Sequence, residues 1–181
     1  ILTFEGFNEL DSFIAQGILN RVRRPGWRVS IAGPTARIRS MNGVVVEAQA
    51  TLDEACEADA VLVGSGMRTR EVVADAGLMA RLRLDPARQL LGAQCSGTLV
   101  LARLGLLDGV PACTDLITKP WVEEAGVSVL GLKEGGVDYA VEPAPTPRAG
   151  DVPRMMRAPL VEAACPAETG VVVGLDGTGS M

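Results

Sequence analysis

The segment of residues 90–102 constrains the fold more than any other part of the chain. It reads LLGAQCSGTLVLA, an apolar run that small residues interrupt around Cys95 and that then continues with helical character. A strand that delivers one side chain at a tight turn and passes directly into a helix has this pattern, which is known as a nucleophile elbow. The helix directs free N–H groups and the positive end of its dipole at the turn, and this placement favours the thiolate form of Cys95.

Two glycines close to Cys95 support this interpretation. Gly92 stands three residues before Cys95, and Gly97 stands two residues after it. Glycine is costly inside a regular strand or helix, so the pair indicates that the chain turns sharply here. The alternative, that Cys95 is only a small buried hydrophobic residue, stays open at this stage because most intracellular cysteines are of that kind.

Strand patterns and helix patterns alternate along the chain. Residues 58–63 and 89–94 are nearly continuous in apolar side chains, as buried parallel strands are. Residues 10–22, 69–84 and 98–105 show helical spacing of apolar residues. This alternation predicts an α/β fold with a doubly wound, mostly parallel sheet.

Shorter signals add detail to this prediction. Asn42 and Gly43 predict the turn of a β-hairpin, and Thr51 with Glu54 three residues later predicts a capped helix. In the first helix we expect one face to pack on the core. The residues of that face are Leu10, Phe13, Ile14, Ile18 and Leu19.

We expect one domain, with residues 1–132 as its α/β part and residues 133–181 as an atypical C-terminal segment. In the latter, repeated proline and glycine break every period. This predicts irregular structure there, with at most a short helix near residues 152–164. The whole chain has 181 residues, enough to bury a substantial core.

Composition excludes several classes of protein. The net charge is −5, the isoelectric point is about 4.8, and the basic residues are scattered, which disfavours nucleic-acid binding. Apolar runs are too short to span a bilayer, so no membrane association is expected. The 4 cysteines form no CxxC pair and no signal peptide is apparent, which predicts a reducing, cytoplasmic location.

The sequence contains 0 histidines. A Cys-His or Ser-His-Asp hydrolase therefore cannot be built from this chain alone, and zinc sites of the usual histidine-containing kinds are excluded. No metal site is predicted. A catalytic base here must be a carboxylate, an amine or water.

Three predicted strands end at residues that can form a site, because functional residues gather at the carboxyl ends of parallel strands. These ends supply Asp11, then Ser65 and Gly66, then Cys95 and Ser96. If the ends meet, Asp11 brings a carboxyl group near the thiol. The backbone N–H groups of the serines and the glycine would then form an oxyanion-type hole.

These residues resemble the ThiJ/PfpI superfamily, a branch of the flavodoxin-like, class I glutamine amidotransferase-like fold. The resemblance covers roughly residues 1–130. In the opening loop, GFNELD, Asp11 takes the position of the family's acidic residue. The other matching segments, in order, are residues 60–66, which end in a tight turn, the elbow AQCSG at residues 93–97, and residues 102–108.

One position departs from the family pattern. Members commonly carry histidine about twenty residues after the cysteine, and this chain has Asp115 there. The departure argues against a Cys-His protease. Asp115 either faces the site, where a second carboxyl group would push one of the two toward neutrality, or caps a turn, and the sequence leaves both open.

The subgroup without that histidine is similar to isonitrile hydratases, and Cys95, Asp11 and Ser96 match its working positions. The resemblance implies a hydro-lyase of this kind, or a related cysteine hydrolase, that converts a small isonitrile to an N-substituted formamide. It also implies no cofactor and a homodimer. The alternative is a non-catalytic domain that senses redox state or a small ligand through the same cysteine.

Overall fold

The computed structural model describes residues 1–130 and, by backbone alone, three short strands beyond them. The elements in chain order are α1 (Glu9–Leu19), β1 (Ala32–Gly33), β2 (Arg37–Arg39), β3 (Val45–Glu47), β4 (Ala50–Thr51), α2 (Leu52–Cys56), β5 (Ala60–Val63), α3 (Thr69–Ala74), α4 (Ala76–Arg81), β6 (Leu90–Ala93), α5 (Thr98–Arg103), α6 (Lys119–Glu124), β7 (Leu132–Lys133), β8 (Gly136–Val137) and β9 (Val171–Val173). A 3₁₀ turn, Cys95–Gly97, joins β6 to α5.

A parallel sheet lies at the centre of these elements. Its order is β4, β1, the segment around Leu2, β5, β6 and β9. Leu2 forms parallel bridges to Ala32 on one side and to Val63 on the other, which joins the two halves of the sheet. Helices alternate with these strands, so the predicted α/β fold with a mostly parallel sheet is confirmed.

Apolar side chains from the sheet and its helices form one core. The middle strands carry near-continuous apolar sequence because both of their faces are covered. Helix α5 is buried over most of its length, as expected for the helix that follows the elbow. Its largest fully buried side chains include Leu2, Leu52, Leu91, Leu99 and Leu101.

Two local predictions are confirmed. Strands β2 and β3 pair antiparallel, and Gly43 at their turn has a positive φ of 90°. Thr51 caps α2 through its side chain, which accepts the N–H of Glu54, while the Glu54 carboxylate accepts the N–H of Thr51 at 2.7 Å. Both features depend on residues that are close in sequence, which is why local patterns predict them.

The predicted apolar face of α1 is buried only in part. Phe13 packs edge-to-face against the buried ring of Phe7, and Leu19 is half-buried. Leu10, Ile14 and Ile18 are exposed by 57%, 54% and 52%. The residue of α1 that is buried is Ser12, which lies against Thr3 and close to Gly64. A small polar side chain at this position lets the helix approach the strand ends closely, while Leu10, Ile14 and Ile18 are turned outward.

The helix expected over residues 69–84 is divided into α3 and α4. The break falls at Asp75. Asp75 leaves the helical conformation, and its side chain accepts the N–H of Leu78 at 2.9 Å to cap α4. A short polar side chain that caps a new helix competes with helix continuation, which explains the position of the break.

The C-terminal prediction is only partly within the described residues. The short helix expected near residues 152–164 lies outside them. The backbone of β9 is described, and it pairs in parallel with β6 in a register that places Leu91 beside Val171. Across residues 1–130 and the three later strands, no helix is long and apolar enough to cross a membrane.

Candidate functional site

Cys95 lies at the tip of a strained turn between β6 and α5. Its φ is 47°, in the left-handed region that side chains other than glycine seldom adopt. Gly97 makes the turn possible, because a Cβ at that position would lie 2.5 Å from the carbonyl oxygen of Val63. Such strain persists where the surrounding structure enforces it, and it is common at reactive residues.

The thiol of Cys95 donates a hydrogen bond to Asp115. The distance from Sγ to Oδ2 is 3.1 Å. Partial burial works to raise the pKa of Asp115, but hydrogen bonds outweigh it and hold that pKa below its ordinary value. The donors are the Thr118 side chain, the Cys95 thiol and the backbone N–H groups of Thr118 and Ile117.

Asp115 performs both of the roles that the sequence left open. Its Oδ1 accepts the backbone N–H groups of Ile117 and Thr118, each at 2.9 Å, which caps the turn before α6. Its other oxygen faces the thiol. The lowered pKa of Asp115 favours its ionised form, and a negative charge beside a thiol disfavours the thiolate.

Asp11 is held against the end of β5. Asn8 caps α1, and its backbone N–H donates to the carbonyl oxygen of Ser65 at 2.9 Å. The Ser65 hydroxyl donates to Oδ2 of Asp11. The half-buried Asp11 carboxyl group is thus positioned by the turn that follows β5, on the same edge of the sheet as the elbow.

Ser96 is buried, and its hydroxyl group is engaged with the same turn. The Gly66 N–H donates to Ser96 Oγ at 3.1 Å, and Thr69 Oγ1 lies 2.9 Å from Ser96 Oγ. The expected oxyanion role of the Gly66 N–H therefore requires that Ser96 release it. The carbonyl and hydroxyl groups of Ser65 are engaged by Asn8 and Asp11. The oxyanion role of the Ser65 backbone N–H stays a prediction.

Three residues that the sequence analysis did not single out also support the elbow. Thr114 Oγ1 donates to the carbonyl oxygen of Cys95 at 2.9 Å, and Thr98 Oγ1 donates to that of Cys113 at 3.0 Å. Gln94 Nε2 donates to the carbonyl oxygen of Asp11 at 3.2 Å. Gln94 and Thr114 directly precede Cys95 and Asp115 in the sequence, and this position was the available signal for them.

No metal site is built from the described part of the chain. Within it, no group of three or more cysteine, aspartate or glutamate side chains is arranged to hold an ion. A surface cavity of about 320 Å³ is lined by residues that include Glu5, Ile38 and Val45, so it is not part of the site at Cys95. The chemistry available here is that of a thiol, two carboxyl groups and hydroxyl groups.

Comparison with solved structures supports the fold. Similar structures include a ThiJ/PfpI family protein from Pseudomonas syringae, with a TM-score of 0.63 and 21% identity over 70% of this chain and 53% of that one. DJ-1 from Schizosaccharomyces pombe has a TM-score of 0.58 and 16% identity over 71% of this chain and 73% of that one. A ThiJ/PfpI domain protein from Brachyspira murdochii has a TM-score of 0.60 and 12% identity over 95% and 82%.

The chain spans 53% of the length of the Pseudomonas syringae protein that it matches. No curated protein matches it in sequence. A sequence model of the DJ-1/PfpI family matches residues 1–139, which include the elbow and all of the candidate site residues. The chain therefore belongs to the DJ-1/PfpI family.

Proposed function

We propose that this protein is a cysteine-dependent enzyme that acts on a small molecule, and that its reaction is the hydration of an isonitrile to an N-substituted formamide. The observation that carries the proposal is the hydrogen bond from Cys95 Sγ to Asp115 Oδ2, at 3.1 Å. It pairs a protonated thiol with a carboxylate in a chain that has 0 histidines. A reaction that uses both the sulfur and its proton suits such a pair.

Addition of a thiol to an isonitrile has this requirement. The terminal carbon of the isonitrile forms one bond to sulfur and one bond to hydrogen, and the product is a thioimidate. Asp115 is placed to take the thiol proton as Sγ attacks, and to return it to the carbon. The first step therefore adds both the sulfur and the hydrogen of the thiol to the terminal carbon, and the carboxyl group ends with the same number of protons as it began.

Water completes the reaction. It attacks the thioimidate carbon, and a carboxyl group moves the water proton to the nitrogen. The remaining hydroxyl proton returns to sulfur as the C–S bond breaks and the carbonyl group forms. Asp11 is the second carboxyl group available for these transfers, and Ser65 fixes its orientation. Ser96 assists indirectly, by holding the turn at Gly66.

The state of the backbone donors favours this reaction over amide hydrolysis. Attack on an amide develops negative charge on oxygen, which needs two or more free N–H donors. Here the Gly66 N–H is directed at Ser96 Oγ. Attack on an isonitrile develops its charge on carbon, where a proton from the carboxyl group neutralises it, so a complete oxyanion hole is not needed for the first step.

Turnover of a simple alkyl isonitrile, followed as formamide by NMR, tests the proposal. We expect activity that is lost in Cys95→Ala and falls at least about a hundredfold in Asp11→Asn, since a proton donor contributes a factor of that order. The matched control is Cys56→Ala. Cys56 is buried, and its thiol contacts the carbonyl oxygen of Arg81, so the variant should retain turnover.

Absence of formamide would contradict the hydratase proposal. If Cys95 were also alkylated rapidly at neutral pH, the alternative would be favoured, in which the domain senses redox state or a small ligand. Formamide production that persists in Cys95→Ala would exclude a nucleophilic role for this cysteine.

We also propose that the protein forms a homodimer, as the family resemblance implies. The exposed apolar side chains of Leu10, Ile14 and Ile18 on α1 support a protein contact on that helix. Sedimentation velocity should give twice the monomer mass. The variant Ile14→Lys should shift the equilibrium toward monomer, and a wild-type protein that sediments as a monomer at micromolar concentration would contradict the proposal.

A further inference from the structure

Gln94, directly before the nucleophile, has one side-chain atom without a partner. Its backbone N–H donates to the Val63 carbonyl oxygen at 2.9 Å, and its Nε2 donates to the Asp11 carbonyl oxygen at 3.2 Å. Its Oε1 is buried, and among the described residues it has no hydrogen-bond partner. A buried acceptor without a partner lowers stability, and folded proteins contain few of them.

The contact with Asp11 fixes the orientation of this amide. Exchange of its oxygen and nitrogen would place Oε1 against the Asp11 carbonyl oxygen, so that two acceptors would face each other. The unpartnered Oε1 is therefore a consequence of the hydrogen bond that Nε2 makes. A methionine of similar length would avoid the cost of the buried oxygen, so packing alone does not account for glutamine here.

The first turn of α1 is attached to two strand ends. Ser65 attaches it to the end of β5, through its carbonyl group to Asn8 and its hydroxyl group to Asp11. Gln94 attaches it to the end of β6, where the next residue is Cys95. The bond from Gln94 thus connects the backbone of Asp11 to the strand that carries the thiol.

We propose that Gln94 is a positioning residue that sets the separation between the Asp11 carboxyl group and the Cys95 thiol. It acts through the backbone of Asp11 and contacts neither the thiol proton nor a substrate. The proposal deepens the proposed function, in which Asp11 transfers protons. Its test is independent of turnover, because the ionisation of the thiol responds to its distance from the Asp11 carboxyl group as well as to Asp115, which it contacts at 3.1 Å.

The test measures the rate of Cys95 alkylation by iodoacetamide across a pH series, for Gln94→Met, Asp11→Asn and the double variant. We expect Gln94→Met to move the midpoint of the rate curve by about half a pH unit or more, in the same direction as Asp11→Asn. The double variant should match Asp11→Asn alone, since the two residues act as one unit. Thermal unfolding of Gln94→Met should occur at or above the wild-type temperature.

Gln89 offers a matched control at the other end of β6. Its buried amide is fully partnered, as Nε2 donates to Ala58 and Ala55 carbonyl oxygens and Oε1 accepts the Asp85 N–H. Gln89→Met should lower the unfolding temperature and leave the alkylation curve unchanged. If the wild type turns over isonitrile, Gln94→Met should lower kcat about tenfold with little change in KM.

The proposal would be overturned if the alkylation curve of Gln94→Met superimposed on that of the wild type. It would also be overturned if the midpoint shift of the double variant equalled the sum of the two single-variant shifts. If Gln94→Met does not fold, Gln94→Leu takes its place with the same expectations. A wild-type protein without isonitrile turnover would refute the hydratase function but would leave the alkylation test of Gln94 intact.

Discussion

Replacing Asp115 with asparagine is expected to speed alkylation of Cys95 at neutral pH by about tenfold or more. The wild-type carboxylate lies 3.1 Å from Sγ, and its negative charge disfavours the thiolate, which is the form that iodoacetamide attacks. Asparagine removes the charge and keeps nearly the same shape. Mass spectrometry of the Cys95 peptide after timed alkylation gives the rate.

The same variant should lose isonitrile turnover, so that reactivity and catalysis change in opposite directions. Only a group that both holds and transfers the thiol proton has this effect. Asp53→Asn is the control, because Asp53 is an exposed carboxylate paired with Arg83 and its loss changes the net charge equally. Slower alkylation in Asp115→Asn would show that the carboxylate does not restrain the thiol.

Asp115 also predicts a dependence of stability on pH. Folding lowers the pKa of this group, so its ionised form stabilises the protein above the pKa of the unfolded chain. That contribution is lost as the pH falls through the lower pKa of the folded state. The stability of Asp115→Asn should therefore decline less steeply than that of the wild type on the acid side.

Replacing Gly97 with alanine is expected to cost about 3 kcal/mol or more of unfolding free energy, because it forces atoms to overlap in a packed region. The added Cβ would lie 2.5 Å from the Val63 carbonyl oxygen and 2.9 Å from that of Gly64. Both contacts are with backbone, which cannot rotate away. The Val63 oxygen also accepts the Gln94 N–H, so relief of the clash would disturb the strand that carries Cys95.

Urea unfolding measures this effect, and Gly17→Ala serves as its control. Gly17 lies within α1, and a Cβ there would meet no atom within 4 Å. Alanine is the better helix former, so Gly17→Ala should raise the unfolding free energy by roughly 0.5–1 kcal/mol. Equal stability of Gly97→Ala and the wild type would mean that the elbow has another geometry.

Features that depend on neighbouring residues were predictable from the sequence. The capping box at Thr51, the hairpin turn at Gly43 and the elbow at Cys95 each combine a special backbone conformation with a residue type that permits or stabilises it. The elbow pattern also identified the end of the sheet at which the strands finish and the candidate site lies. Its strand, turn and helix lie where the pattern of apolar and small residues placed them.

Features that depend on distant contacts were not predictable in the same way. Apolar spacing in α1 indicated which residues share a face, but the contacts of Ser12 with Thr3 and Gly64 determine which face is buried. Asp115 could be assigned to a turn or to the site. A carboxylate has two oxygens, and only the tertiary structure shows that it uses one for each.

The hydrogen bond from the Gly66 N–H to Ser96 Oγ is another feature that depends on contacts between residues distant in sequence. Spacing places both residues at strand ends but does not specify which way a hydroxyl group points. Strand β9 was missed for a related reason. Its three valines stand in a segment rich in proline and glycine, and its partner β6 is far away in sequence.

The position of β6 between β5 and β9 has a consequence for the order of events during synthesis. One neighbour of the nucleophile strand is made shortly before it, whereas the other, which aligns Val171 with Leu91, is made much later. Pairing of strands that are so far apart in sequence is slow. We therefore expect the nascent chain to carry Cys95 on a strand with one open edge until β9 emerges, which makes this period the one in which chaperones matter most.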